Sequence, residues 1–217
     1  MTSPALRHFL KVTAAKEAAL AEDFEMMDGL SNYELMLVKL NSDRRRLRDI
    51  QSVSRKADVK KELLPEYDTY VEGVLAGGKG VQDEVIVTLL IWSLDADDLT
   101  RALPLIDYAV KNDMALPDSY NRNLATAVVD EFVASVQRMY QATETYPLEE
   151  IERIKSLTSD KDMPDEALAK LYKVLGEAQE AAELLEVAYE NYSRAYELNS
   201  RVGVKTQMNR LKKQLDA

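Results

Sequence analysis

Apolar residues in this 217-residue chain recur at intervals of three or four almost throughout, and no segment alternates apolar with polar. The first spacing stacks side chains on one face of an α-helix, whereas a half-buried strand needs the second. The expected fold is therefore all-α: helical hairpins or a bundle, with a long N-terminal helical arm. With 7 glycines and 6 prolines, few positions force a helix to stop. The breaks can be placed one by one.

Ser3 followed by Pro4 suits a helix start, and an alanine-rich helix is expected to run to about Met27, ended by Gly29. Ser31 and Glu34 have the spacing of a capping box, from which a second helix is expected to extend toward Leu63. Pro65 marks a new start, and a helix from Glu66 to Leu75 should stop at Gly77-Gly78-Lys79-Gly80. Val81 to Leu94 is apolar nearly all round and reads as a buried helix. Asp95 to Asp98 should turn the chain into an antiparallel partner from Leu99 to Lys111, in which Pro104 can introduce a kink. A further helix is expected from about Asn121 to Tyr140. After Pro147 the predicted helices are Pro164 to Leu175, with Asp162 as its cap, Ala178 to Leu198, and Val204 to Leu215. Ala182, Ala188 and Ala195 space the larger Leu184, Leu185, Tyr189, Tyr192 and Tyr196, a pattern suited to close, tetratricopeptide-like packing, although no 34-residue repeat is present. Three regions follow: residues 1–63, basic and helical; 64–142, a central core; and 143–217, helical hairpins.

The formal charge is −10, which argues against a uniformly basic nucleic-acid binder. The distribution is uneven, however. Between Lys39 and Lys61 nine basic residues meet only three acids, a local excess of six that leaves −16 for the remainder. Arg44, Arg45, Arg46, Arg48, Arg55, Lys56, Lys60 and Lys61 are the candidate DNA contacts, because cations wrapped around a helix can reach phosphate oxygens. The alternative is a solvated helix face. Six neutralised phosphates would give a slope of about −5 in log affinity against log salt.

Other motifs are weaker. Gly73 to Gly80 falls one residue short of a phosphate-binding loop, since Gly80 stands where a hydroxyl is needed; a glycine helix terminator is the better account. Asp95, Asp97 and Asp98 can be read as a cation site or as helix caps, and the second is preferred. Asp58-Val59-Lys60 supplies half of a magnesium-nuclease pattern, with no Pro-Asp upstream and no strand to carry it. No catalytic residue, metal ligand or cofactor is assigned. His8 reads as a surface histidine, Trp92 as core, and the C-terminal tyrosines as packing residues. The absence of cysteine excludes disulfides and thiolate metal sites, and a single histidine excludes zinc chemistry that needs two. Neither a signal peptide nor a run long enough to span a membrane is evident, so a cytoplasmic protein without membrane contact is expected.

Several blocks taken together carry a resemblance: Met1-Thr-Ser-Pro-Ala with Arg7-His8-Phe9, Tyr33 to Leu40, Lys61 to Pro65, Gly78 to Asp83, Trp92 with Leu94-Asp95, Asp162 to Glu166, and Val202 to Leu211. In this order the chain resembles the small terminase subunit of Peduovirus-type tailed bacteriophages. The resemblance implies recognition of the packaging or cohesive-end site on double-stranded phage DNA, recruitment of the large subunit that holds the motor and nuclease, and self-assembly, commonly into rings. It implies action in the host cytoplasm. This branch is traditionally described as the endonuclease subunit, so cleavage by the chain itself is an alternative, and a helical scaffold that never touches DNA is another. Relatives often carry a Lys/Arg-rich carboxyl tail; here the chain ends Leu215-Asp216-Ala217, which places the expected DNA contact on the front.

Overall fold

The computed structural model describes residues 24–77, 79–117 and 122–216, with side chains from residue 32 onward. The helix expected from Pro4 lies outside the described residues up to 23, as does His8. Among the described residues every regular element is a helix, as the apolar spacing requires. The chain divides into two compact units, residues 1–51 and 52–217.

In the first unit, α1 (Phe24–Arg48) runs through Gly29 and Ser31 without a break. The expected stop at Gly29 and capping-box start at Ser31 do not occur. A glycine inside a helix costs only about 1 kcal/mol, which good helix formers on both sides can offset. Leu40 and Leu47, seven residues apart, are buried on one face.

The second unit opens with α2 (Val53–Leu63). The single helix expected to extend toward Leu63 is thus two, because Ser52 adopts an extended conformation (φ −71°, ψ 127°) and its Oγ accepts from the Arg55 amide at 3.3 Å. A 3₁₀ turn over Leu64–Tyr67, with Pro65 in its first turn, leads into α3 (Asp68–Gly77), which ends at the expected glycine. The buried helix is α4 (Glu84–Asp95): every residue from Val85 to Leu94 is buried, Trp92 included. Asp83 caps it through the Ile86 amide at 3.0 Å and also accepts from the Tyr70 hydroxyl at 2.5 Å. Thr88 and Ser93 survive in this apolar setting by donating to the Glu84 and Leu89 carbonyls of their own helix, both at 2.8 Å. After the turn at Ala96 to Asp98 comes α5 (Leu99–Lys111), with the bounds read from the sequence.

α6 (Leu124–Thr143) links the two halves of this unit, packing on α4 on one side and, on the other, on α8 (Asp165–Ala181). α7 (Leu148–Leu157) lies against α5 and α8. The helix expected from Ala178 to Leu198 is interrupted: α8 ends at Ala181 and α9 covers Leu185–Leu198. Glu183 takes a left-handed conformation (φ 61°), and the Leu184 and Glu183 amides return to the Gln179 and Glu180 carbonyls at 2.9 and 3.0 Å. This is the double hydrogen bond that closes a helix C-terminus. α10 (Lys205–Leu215) completes the chain.

The tyrosines pack as expected. Tyr192 is buried with Ala188, Ala195, Val204 and Leu211, and Tyr189 and Tyr196 lie against that cluster. Gly176 admits the Tyr192 ring, since a Cβ there would lie 2.8 Å from the ring carbons. Ala182 is instead an exposed helix end.

Candidate nucleic-acid interface

The eight candidate cations fall into two groups, one in each compact unit. Arg44, Arg45, Arg46 and Arg48 occupy the last two turns of α1, where positive charge also complements the negative end of the helix dipole. Leu40 and Leu47 hold one side of that helix inward, and Arg45, Arg46 and Arg48 are exposed while Arg44 is half-buried. Arg44 and Arg46 also make polar contacts within the chain. One turn earlier, Lys39 donates to Asp43 at 2.7 Å.

Arg55, Lys56, Lys60 and Lys61 lie on α2, whose Val59 and Leu63 are buried. Arg55 and Lys61 are exposed and Lys56 is half-buried. Lys60 differs from them: its ammonium pairs with Asp95 at the end of α4, and its side chain is only 14% exposed. Among the described residues no ion pair is found for Arg45, Arg48, Arg55, Lys56 or Lys61.

The remaining motifs resolve into local structure. Asp95 pairs with Lys60; Asp97 accepts from Ser135 and Arg138, both at 2.9 Å; Asp98 caps α5 through the Arg101 amide at 3.0 Å. The oxygens of Asp95 and Asp97 thus anchor one helix to another, and those of Asp98 cap its own. Asp58 and Lys60, two residues apart on α2, point to different sides of a helix, and Val59 between them is core. Gly73 to Gly77 is helical rather than a phosphate-cradling loop. Among the described residues no helix is long and apolar enough to cross a membrane.

One group of cations escaped the sequence reading. From Leu198 to Leu215 the chain carries Arg201, Lys205, Arg210, Lys212 and Lys213 with no acid among them. The available signal was that missing acid, overlooked because the expectation concerned a tail beyond the last helix, whereas Lys205, Arg210, Lys212 and Lys213 lie on α10 itself. Next to them lies a polar network. Arg210 pairs with Glu180, which also accepts from the Tyr192 hydroxyl at 3.0 Å, and Tyr146 donates to Glu177 at 3.2 Å. Burial, reinforced by these carboxylates, pushes both phenols well above the ordinary tyrosine range, and burial also raises the Glu177 carboxyl.

A family model described as the phage small terminase subunit matches residues 37–166. The chain is 36% identical over 215 residues to the "Terminase, endonuclease subunit" of Escherichia phage P2, covering 99% of this chain and 86% of that protein. It is 23% identical over 201 residues to the "Probable terminase, endonuclease subunit" of Haemophilus phage HP1, covering 86% of this chain and 72% of that one. No solved structure matches.

Proposed function

The chain belongs to the phage small terminase subunit family, and from that premise we propose that it binds packaging-site duplex DNA and brings the large subunit to it in the host cytoplasm. The observation that carries this reading is the set of solvent-facing cations on α1 and α2. Arg45, Arg46 and Arg48 are exposed on the first helix, and Arg55 and Lys61 on the second, with Lys56 beside them. Guanidinium groups fork onto phosphate oxygens, and lysines add point charges. Lys60 is withdrawn from this set by Asp95. Six phosphate contacts correspond to a salt slope of about −5. Replacing Arg44, Arg45 and Arg46 by glutamate should abolish retention of duplex DNA in a gel shift while leaving helical content intact. Unchanged affinity in the folded variant would end the proposal.

Self-assembly belongs to the same reading. Leu35 and Val38 on α1 are 60% and 38% exposed, and a second copy would remove that apolar area from water. Native mass spectrometry reports the copy number directly. The names of both relatives favour a second reading, in which the chain itself cleaves DNA. Nicking of cognate DNA by the purified chain without its partner, abolished by EDTA, would select it.

A further inference from the structure

α10 presents the second run of cations in a defined way. Val204 and Leu211, seven residues apart and both fully buried, lock one side of it against the α9 cluster. Lys205, Asn209, Lys212 and Lys213 are all exposed, Lys205 and Lys212 about a quarter turn round the helix from the buried line and Asn209 and Lys213 farther round. Lys205 and Lys212 therefore lie on one stripe about 10 Å apart, from a rise of about 1.5 Å per residue, with the Asn209 amide between them. On the flank, the Arg210–Glu180 pair ties the helix to α8. The acids of α8 and α9 are not paired with the three lysines: among the described residues no ion pair is found for Lys205, Lys212 or Lys213.

The composition of the face selects the partner. Protein interfaces are depleted in lysine and built around apolar or aromatic anchors. Here the apolar residues of the helix turn inward, save Leu215 at its end, which is 40% exposed. Nucleic-acid interfaces are more polar and much more positive. We infer that this face of α10 is a second DNA contact, separate from the α1 and α2 cations, that holds the phosphate backbone without reading sequence. Lysines act there as point charges, and the one guanidinium on the helix is engaged by Glu180. The inference rests on the proposal that the protein binds duplex DNA.

The test uses the full chain with Lys205→Gln, Lys212→Gln and Lys213→Gln combined, its fold checked by circular dichroism and thermal melting. Duplex affinity is measured across a salt series on cognate and unrelated DNA. Loss of three phosphate contacts should make the slope of log affinity against log salt shallower by about two to three. Both DNAs should weaken by the same factor, and the matching Lys→Arg variant should keep the parental slope. If the parent binds DNA in a salt-dependent way and the Gln variant keeps its slope, the α10 contact falls while the DNA reading stands. If the parent shows no DNA affinity at low salt, both fall. Retained DNA affinity with lost binding to polyglutamate would assign the face to an acidic protein segment and overturn the inference.

Discussion

Four helix ends rest on an acidic residue in a conformation that L-residues adopt at a cost: Asp97, Asp113, Glu144 and Glu183, at φ 57°, 48°, 56° and 61°. Asp97, Asp113 and Glu183 close their helices with the same pair of returning amides, Glu144 returns its own amide to the Tyr140 carbonyl, and glycine is the usual occupant of such a position. Asp97 and Asp113 recover part of the cost through side chains, to Arg138 and to Lys161. None of these ends carries the glycine that marks such a terminus in a sequence. At Glu177 the cost is electrostatic. Burial holds its carboxyl above the ordinary value, against the opposing pull of Lys173 and the Tyr146 hydroxyl. Unfolding returns the group to its ordinary value, so between the two values the native state binds more protons and stability falls as pH rises. Glu177→Gln keeps an acceptor for Tyr146 and removes the charge. It should raise the melting temperature at pH 7 to 8 and make little difference near pH 4; an equal gain at both would refute this account.

Among the elements, α2 combines two roles on different sides. Val59, Leu63 and the Lys60–Asp95 pair hold it in the unit, while Arg55 and Lys61 face solvent. Lys60→Gln should therefore cost about 1 kcal/mol in urea unfolding, the scale of a partly exposed ion pair, and leave the DNA salt slope unchanged. Arg55→Gln with Lys61→Gln should do the reverse. A shallower slope for Lys60→Gln would show that the pair opens on DNA. Much of this was legible beforehand: the bounds of α5, the buried α4 and the Asp95 to Asp98 turn all follow from local residue types. The break before α2 was not. Ser52 lacks the acid three residues on that marks a capping box, and Arg55 stands there instead.

On the scale of the whole molecule, the second unit contains a core of its own, running from Val59 on α2 to Leu211 on α10. The fragment 52–217 should fold alone and unfold in a single cooperative transition by heat or urea. Probe-dependent midpoints, or a fragment without cooperative unfolding, would show that the first unit is needed. Both basic groups, on α2 and on α10, belong to this body, so the fragment should retain part of the DNA affinity proposed for the full chain.

Periodicity alone determined that the chain is helical, because a three-to-four spacing of apolar residues suits no other regular structure. Charge counting alone located the cations of residues 39–61. Which of those cations face water was settled by tertiary packing: Lys60 meets an aspartate 35 positions away, a distance at which no local pattern operates. Packing likewise decided that the lysines of α10 face outward, because Val204 and Leu211 are held in the α9 cluster. Whether a helix continues, and where its charges point, depends on what it is pressed against.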